Sequence, residues 1–594
     1  MNANLSHFHP VSGKAWRSRL TAAQDSQALA ISQQTDLPDV LARILAARGI
    51  DAAGAAAYLD PSLRDLMPDP DTLTDMVPLV ARLVMAIEHH EKIAIFGDYD
   101  VDGACSAALL WQFLDAAGCE CIVHIPDRLT EGYGPNSQAI QSFKQQNASL
   151  LVTVDCGTTS FEPFETARLL GMDVLVIDHH QAPEILPKVT ALVNPNRLDD
   201  LSSLGHLCAA GVVYLVIIAL NRALRTAGFW QNRAAPDLLA ALDLVALATV
   251  ADVVPLTGLN RAYVVKGLAV MKARSRIGLR ALMDVARMHA PPAPYHLGFL
   301  LGPRINAGGR IGDATMGVRL LTTLDEGEAL RLAQELDTLN RERQALEAAA
   351  LLEAEATAMA QVGLGEVVDT VLLVGEEGWH PGVMGLVSAR LKERYTLPSF
   401  AIAWSGGTGT GSGRSISGVD LGGAVRAAAE AGLLVKGGGH AMAAGITLLR
   451  DQLDGFAVFM RERLAPAISA AKADSNLLVD AVLQPAAVSL DLIKSLEKAG
   501  PFGSGSPEPV FVVPDLRILD VVPVGTAHFR IRARSANGTQ IKAMAFRAAE
   551  TPLGDALMRS KSGANIALAG TLSINHWNGR EEVQFRVIDL AVMG

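Results

Sequence analysis

The chain has 594 residues, a formal net charge of −11 and a hydrophobic fraction of 50%. The length predicts about three or four domains, and the negative charge excludes a protein coated with basic residues, so any nucleic-acid contact must come from local clusters. The five cysteines form no CxxC pair, which argues against a zinc finger and predicts reduced thiols in a cytoplasmic protein.

No apolar segment follows the basic N-terminal residues, so a secretory signal is not expected. The most hydropathic window, residues 238–256, is about long enough to span a bilayer. It contains Asp243, Asp252 and Pro255, which are costly in a membrane. We therefore predict a buried helix that ends near an active site, and we expect no membrane contact.

The first half of the chain predicts a helical cap followed by an α/β domain. Residues 1–78 are mixed in character, and Pro61, Pro68 and Pro70 interrupt their end. In residues 79–323, short β-branched runs alternate with helix-length segments, which predicts a doubly wound parallel sheet. The predicted strands are 93–96, 121–125, 150–154 and 174–177, with a helix at 104–117.

The second half predicts a long helix and two further domains. Residues 324–365 are rich in Ala, Glu, Leu and Arg, which predicts one connecting helix. Residues 366–470 predict a second α/β domain, with strands 370–374 and 400–404, helix 383–393, and glycine-rich loops at 406–413 and 437–439 that could bind a phosphate. Residues 471–594 predict a small OB-like barrel. Its predicted strands are 510–513, 516–522, 529–534, 541–546, 566–574 and 583–592.

Three predicted strands run directly into acidic or histidine residues. These are Asp98, Asp100 and Asp102 after the first, Asp155 after the third, and Asp178-His179-His180 after the fourth. Parallel sheets place ligands at the carboxyl ends of their strands. Carboxylates that converge at one edge would repel one another, so divalent cations are expected there. Imidazole beside carboxylate favours manganese, with magnesium as the alternative.

Simpler interpretations of these residues stay open. Asp98, Asp100 and Asp102 could form a solvated acidic turn, although alternate carboxylates can also face one cation. A calcium loop would need a glutamate where this chain has Leu109. Asp155 could be a helix cap, and the two histidines could cap a strand.

The motifs resemble those of the DHH phosphoesterase family, named for its Asp-His-His sequence. Asp98, Asp100 and Asp102 are similar to its first motif, Asp155 to its second, and residues 248–252 to its fourth. Residues 437–445, which include His440, resemble the glycine-histidine motif of the associated DHHA1 substrate-binding domain. The resemblance implies the metal ligands Asp98, Asp100, Asp102, Asp155, His179 and Asp252, and it leaves His180 to meet the substrate.

Four further segments, 125–134, 302–310, 379–383 and 412–415, resemble the bacterial single-strand-specific exonucleases of this family. That likeness implies that Arg128, Ser412 and Arg414 hold a terminal 5′ phosphate, with His440 helping to position it. Arg304 and Arg310 would contact the strand near the scissile bond. Phe96 departs from the wider family, whose members can carry a metal-binding histidine there.

The predicted barrel carries its own candidate DNA-binding residues. In residues 529–534, Arg530, Arg532 and Arg534 alternate with apolar residues and should share one strand face. An OB-fold can present such a face to single-stranded backbone, and Trp577 could stack a base. A solvated strand face and a core or turn tryptophan are the alternatives.

The residues alone predict a metal-dependent phosphodiesterase. The resemblance implies more: a single-stranded-DNA-specific 5′-to-3′ exonuclease that releases mononucleotides with two divalent cations, in DNA repair and recombination, with single-strand-binding protein as a partner. One alternative is a phosphodiesterase of short oligonucleotides or cyclic dinucleotides, which would need no strand-binding barrel. The other is a non-catalytic DNA-binding scaffold, which should have lost metal ligands that this chain retains.

Overall fold

A computed structural model describes residues 5–128, 130–363, 370–560, 563–577 and 580–593. The chain forms two compact units. We call them the barrel unit (residues 1–67, 255–262 and 475–594) and the sheet unit (residues 68–254 and 263–474).

The N-terminal part of the barrel unit is mainly helical. Its elements are β1 (Trp16–Ser18), α1 (Ala22–Thr35), α2 (Asp39–Ala47), α3 (Ala55–Leu59) and α4 (Leu63–Leu66). A capping box starts α1, because the Thr21 hydroxyl accepts from the Gln24 N–H and the Gln24 side chain accepts from the Thr21 N–H. Ile31 and Leu45 are buried in the core between α1 and α2.

The sheet unit begins with a five-stranded parallel sheet of order β3-β2-β4-β5-β6. Its strands are β2 (Ile93–Gly97), β3 (Cys121–His124), β4 (Leu150–Val154), β5 (Asp173–Ile177) and β6 (Ala191–Val193). Every residue of β2 and β4 is buried, as expected for parallel strands that helices cover on both faces. The predicted doubly wound parallel sheet is confirmed, although β6 had not been predicted.

Helices on both faces bury this sheet. Phe143 of one helix and Phe164 of another pack with Phe96 and Val176 in the core of one face. The first-half helices are α5 (Met76–Glu88), α6 (Val101–Ala116), α7 (Ser137–Gln145), α8 (Phe161–Leu169), α9 (Ala209–Thr226), α10 (Leu242–Ala251), α11 (Gly258–Lys272), α12 (Ile277–Val285), α13 (Pro294–His296), α14 (Gly302–Ile311) and α15 (Thr315–Thr322). A π-helical turn, Leu297–Leu301, joins α13 to α14.

The predicted long helix is α16 (Glu326–Gly363), and a mixed sheet follows it. The sheet order is β10-β11-β9-β8-β7, and Phe400 and Phe456 pack edge-to-face in its core. The elements are β7 (Leu372–Glu377), α17 (Met384–Tyr395), β8 (Ser399–Ser405), β9 (Thr408–Arg414), α18 (Leu421–Glu430), β10 (Lys436–His440), β11 (Ala443–Leu449) and α19 (Leu453–Ala473).

The prediction of glycine-rich loops at 406–413 and 437–439 was wrong. Only residues 406 and 407 form a turn, while the other glycines lie in β9 and β10. Glycine is unfavourable in most strands, but here it admits close neighbours. A Cβ on Gly413 would lie 2.4 Å from the Phe400 ring, and one on Gly409 would lie 2.7 Å from the Ile402 side chain.

The C-terminal part of the barrel unit is a closed barrel. Its strands pair in the order β14-β15-β16-β18-β17, and β17 pairs with β14 to close the ring. The two predicted strands at 510–513 and 516–522 are one strand, because β14 continues through a bulge. The elements are β12 (Leu477–Val479), β13 (Ala481–Val482), α20 (Leu490–Glu497), β14 (Phe511–Val524), β15 (His528–Ser535), β16 (Gln540–Ala545), α21 (Pro552–Arg559), β17 (Asn565–Trp577) and β18 (Arg580–Val592).

Among the described residues, one helix, α9, is long and apolar enough to cross a membrane, and 72% of it is buried inside the protein. The window predicted at 238–256 contains α10, which has 10 residues and ends just before Asp252.

Candidate active site

Acidic residues follow three neighbouring strands of the parallel sheet. Asp98 comes directly after β2, Asp155 after β4, and Asp178 after β5. Because these strands are adjacent and parallel, their carboxyl ends meet at one edge of the sheet. Asp155 adopts the left-handed conformation, with φ 62°, while its N–H donates to the Ile177 carbonyl. The sheet therefore sets the three carboxylates side by side.

Seven predicted residues form three overlapping groups whose ligand atoms lie within 4.8 Å of one another. The groups are Asp98, Asp100 and Asp155; Asp102, His179 and Asp252; and Asp155, His179 and His180. Asp155 and His179 each belong to two groups, and the two carboxylate oxygens of Asp155 could serve neighbouring cations.

Asp98, Asp100 and Asp102 do not all fall in one of these groups. Asp98 and Asp100 join one group, whereas Asp102 joins another. The reason is that Asp100 is the N-cap of α6, so Asp102 already lies on the first helical turn. The Asp100 carboxylate accepts from the N–H groups of Asp102 and Gly103, at 2.9 and 3.1 Å, and this fixes the turn.

The backbone fixes the orientation of the His179 ring. The Nδ1–H donates to the Leu207 carbonyl at 3.0 Å, so Nε2 is left with its lone pair. Nε2 lies 3.3 Å from Asp155 Oδ1 and 3.8 Å from carboxylate oxygens of Asp102 and Asp252. A histidine whose other nitrogen donates to a carbonyl is typical of metal ligands.

A helix N-terminus holds Asp102. Its two oxygens accept from the N–H groups of Ala209 and Ala210 at 2.7 and 2.8 Å. These residues start α9, whose positive end favours a carboxylate. Asp102 is 1% exposed, so this helix supplies the polar contacts that water cannot.

Asp178 supports the second histidine. It accepts from the Thr158 N–H at 3.0 Å and from His180 Nδ1 at 2.8 Å. Burial would raise the pKa of Asp178, but the contact with His180 outweighs it and holds this pKa well below the usual range. Burial would lower the pKa of His180, but Asp178 raises it to about 9. His180 is therefore held as a cation next to the carboxylates.

The carboxylates of the site are only partly compensated by the cationic His180. Burial, with repulsion from neighbouring carboxylates, raises the pKa values of Asp98, Asp102 and Asp155. Burial raises the pKa of Asp252 to about 9. Asp98 Oδ1 is buried and has no hydrogen-bond partner. A divalent cation would supply both the missing charge and the missing contact, so these oxygen and imidazole donors fit Mn²⁺ or Mg²⁺.

A cluster of arginines also belongs to the sheet unit. Arg310 donates to the Gly382 carbonyl at 3.0 Å, and Arg414 donates to the Ser412 hydroxyl at 3.2 Å. Burial, with the nearby charges of Arg128 and Arg414, lowers the pKa of Arg310 to about 10. Burial and Arg128 also lower the pKa of Arg414. Guanidinium groups of this kind are suited to binding an anion such as a phosphate.

Three other residues that the sequence analysis discussed lie outside the metal-ligand groups and the arginine cluster. Arg304 forms an ion pair with Asp337 of α16 at 3.0 Å and donates to the Leu300 carbonyl at 2.7 Å, so its guanidinium is engaged within the fold. His440 is exposed, and its ring stacks at 6.0 Å on that of His180. Phe96 is buried in the sheet core.

The predicted barrel residues lie in the barrel unit. Arg530, Arg532 and Arg534 are exposed and alternate with buried residues on β15, as the sequence pattern predicted. Asp520 pairs with Arg532. The side chain of Trp577 lies outside the described residues.

Sequence reasoning missed the residues that support the site. Asn194 is fully buried and donates to both the Thr158 hydroxyl and the His180 carbonyl at 2.8 Å. The Asn306 side chain accepts from the Val101 N–H at 3.1 Å. Asn194 follows β6, a strand too short to predict, and Asn306 is about 200 residues from the loop it holds, so no local pattern could have found either contact.

The chain matches three family models. The DHH family N-terminal domain matches residues 92–249, the DHHA1 domain residues 365–465, and the RecJ OB domain residues 479–589. A single-stranded-DNA-specific exonuclease RecJ from Escherichia coli is 35% identical over 563 residues, which cover 93% of this chain and 96% of that protein. The RecJ of Bacillus subtilis is 33% identical, over 95% of this chain and 69% of that protein.

Two solved structures are similar to the whole or the larger part of the chain. RecJ from Thermus thermophilus in complex with Mn²⁺ has a TM-score of 0.79 at 28% identity, over 97% of this chain and 79% of that one. An exonuclease RecJ bound to manganese has a TM-score of 0.56 at 33% identity, over 67% of this chain and 95% of that one. Sequence, domain order and fold agree, and the chain therefore belongs to the RecJ family of DHH phosphoesterases.

Proposed function

We propose that this protein is a metal-dependent, single-stranded-DNA-specific exonuclease of DNA repair and recombination. The observation that carries the proposal is the presence, within one unit, of a cluster of carboxylates and imidazoles and of a cluster of arginines. A phosphodiester held between cations bound by the first cluster and guanidinium groups of the second would offset the repulsion within each. The RecJ relatives, which are named as single-stranded-DNA-specific exonucleases, support the choice of substrate.

Two divalent cations, preferably Mn²⁺, would be held by Asp98, Asp100, Asp102, Asp155, His179 and Asp252. When bound, two such cations would activate a water and stabilise the attacking and leaving oxygens of an in-line displacement. Asp155 and His179 each belong to two of the groups; Asp155 offers two carboxylate oxygens, whereas His179 offers only Nε2, because its Nδ1–H donates to the Leu207 carbonyl. His180, a cation held by Asp178, orients the scissile phosphate and can donate a proton to the leaving oxygen.

Cleavage from the 5′ end is implied by the resemblance to the bacterial single-strand-specific exonucleases, and the arginine cluster would support it. Arg128, Ser412 and Arg414 would hold a terminal 5′ phosphate, and Arg310 would contact the phosphate next to it. Arg128 lies 5.2 Å from the Tyr99 ring, on the loop that carries Asp98 and Asp100. The resemblance also implies release of mononucleotides, with His440 beside His180 helping to position the terminal phosphate.

The remaining predicted residues would have separate roles. Arg304 would act through its ion pair with Asp337, positioning α14 rather than holding a phosphate itself. Arg530 and Arg532 would bind the DNA backbone in the barrel unit, and Trp577 would stack a base.

The domain organisation, the partner and the location belong to the same proposal. The domains would be a helical cap (1–78), the DHH domain (79–323), a connecting helix (324–365), the DHHA1-like domain (366–470) and the OB-like domain (471–594). Single-strand-binding protein is the partner implied by the likeness to these exonucleases. The described cysteines are all free thiols, which supports a cytoplasmic location.

The test is hydrolysis of a long 5′-phosphorylated single strand, labelled at either end, with Mn²⁺ or with EDTA. We expect mononucleotides from the 5′ end with Mn²⁺ only, and no release by Asp155→Ala. Asp115→Ala, an exposed aspartate near the other end of α6, is the matched control and should keep full activity. Cleavage of dinucleotides but not of long strands would replace the proposal with a short-oligonucleotide phosphodiesterase. Strand binding without any cleavage would replace it with a scaffold.

A further inference from the structure

Two aromatic rings are exposed on the surface of the sheet unit. Tyr295 is 60% exposed and Phe299 is 69% exposed. Their rings lie 5.2 Å apart and are tilted by only 25°, so they stack on each other. Neighbouring apolar side chains this exposed mark a binding surface, and stacked rings present a flat π face.

The same helical segment that carries these rings also contacts the acidic loop. Asn306 of α14 holds the Val101 N–H, and a Cβ on Gly309 would lie 2.5 Å from the Tyr99 carbonyl. The rise of about 1.5 Å per residue puts Phe299 roughly 10 Å along the helix from Asn306. The ring pair is therefore held at a fixed distance from the candidate active site.

The segment also packs on the helix that leads to Asp252. A Cβ on Gly298 would lie 3.5 Å from the Val250 side chain, and one on Gly302 would lie 3.5 Å from that of Ala251. The π-helical turn at Leu297–Leu301 contains Phe299 and leads into α14, and such turns are frequent at functional sites. None of the three matched family models covers this segment, which lies between residues 249 and 365.

We propose that Tyr295 and Phe299 form a stacking platform for bases of single-stranded DNA on the 3′ side of the scissile bond. The inference rests on the proposed function, because a strand whose 5′ phosphate is held by the arginine cluster must leave the site on its 3′ side. Every base has a π face, so stacking holds the strand without reading its sequence. The rigid helix keeps the platform in register with the acidic loop.

The test is an abasic scan. A series of 5′-phosphorylated single strands, each with one abasic position at a successive distance from the 5′ end, is hydrolysed by the wild type and by Phe299→Ala with Mn²⁺. We expect KM of the wild type to rise at one or two positions by about 5- to 100-fold, the range for loss of one base stack. On DNA without abasic positions, Phe299→Ala should already show this higher KM. An abasic site at the sensitive positions should not raise the KM of this variant further. Phe299→Trp should restore the wild-type pattern.

Two controls separate this inference from the proposed function. Leu169→Ala removes an equally exposed apolar side chain at the end of α8, before β5 and thus at the opposite edge of the sheet, and should leave KM unchanged. A 5′-phosphorylated dinucleotide, too short to reach the rings, should be cut equally by all variants.

The outcomes are distinct. If the wild type cuts no long strand, the proposed function fails. If the wild type cuts long strands but Phe299→Ala and Tyr295→Ala keep its KM and its abasic pattern, the platform is refuted and the rings would instead be a protein-docking surface. If Phe299→Ala loses as much activity on the dinucleotide as on long strands, the platform is also refuted, because the substitution would then act through the acidic loop.

Discussion

Asp98→Asn and Asp102→Asn should have different effects on the free energy of unfolding of the metal-free protein. Both are buried aspartates of the candidate metal site. Asp98 has one oxygen without a hydrogen-bond partner, whereas both oxygens of Asp102 accept from backbone N–H groups of α9. In the absence of metal, Asp98→Asn removes an uncompensated charge, while Asp102→Asn turns an acceptor into a donor that faces an N–H.

The magnitude follows from these contacts. Asp102→Asn loses one charge-assisted hydrogen bond, worth about 1.5–3 kcal/mol. It also loses the charge at a helix N-terminus, worth about 0.3–2 kcal/mol. The free energy of unfolding should therefore fall by roughly 2–5 kcal/mol. Asp98→Asn should leave it within about 1 kcal/mol of the wild type or raise it, because an isolated buried charge is more costly than an amide.

Scanning calorimetry of the full chain in EDTA and in Mn²⁺ measures both effects. In EDTA the thermal midpoint of Asp102→Asn should fall, and that of Asp98→Asn should stay or rise. Saturating Mn²⁺ should stabilise the wild type, by about 2.7 kcal/mol at 100 times Kd, and should stabilise both variants far less. Equal destabilisation by the two substitutions in EDTA would refute the reasoning, since it would mean that Asp98 is as well satisfied as Asp102.

Four further substitutions have definite expected results. Gly103→Ala would place a Cβ 2.3 Å from the Asp98 carbonyl, and the resulting displacement of the acidic loop should lower kcat about 100-fold. Arg414→Met should raise KM for 5′-phosphorylated strands much more than for 5′-hydroxyl strands, because it removes a phosphate contact. Arg530→Gln and Arg534→Gln should each lower the slope of log K against log salt for single-stranded DNA binding by about 0.7.

Matched controls make these results decisive. Gly211→Ala adds a Cβ at ordinary contact distances in α9 and should keep activity, so an equal loss would contradict the steric argument. Arg450→Met removes an exposed arginine that pairs with Glu377 and should leave the phosphate preference intact. Arg559→Gln changes an exposed arginine of α21 and should leave the slope of log K against log salt unchanged. If it lowers this slope as much as Arg530→Gln does, the position of an arginine on the barrel does not matter for DNA binding.

Local patterns predicted most of the sheet unit. The apolar, β-branched-rich runs before Asp98, Asp155 and Asp178 are continuous, and each is followed by an aspartate. The sequence therefore predicted both the strand positions and the edge of the sheet where the candidate site lies. The glycine-rich strands β9 and β10 could not, because glycine carries no side-chain alternation and is usually found in turns. What makes strands of them is packing against partners such as Phe400.

The grouping of the ligands was also beyond local reasoning. Whether Asp102 shares a cation with Asp98 depends on where α6 begins and on the position of His179, which the Leu207 carbonyl sets. Likewise, the ion pair of Arg304 with Asp337 depends on how the long helix packs. Such contacts join residues far apart in sequence, and a pattern within one segment carries no information about them.

The close approach of Gly309 to the Tyr99 carbonyl limits how this protein can change. No side chain fits at position 309, where α14 meets the acidic loop, and the Asn306 side chain ties the two together. Any substitution that moves the loop must therefore be matched by one in a helix about 200 residues later. A chimera that exchanges residues 92–249 between relatives without residues 302–311 would combine surfaces that were never selected together, so the smallest exchangeable part of this active site is discontinuous in sequence.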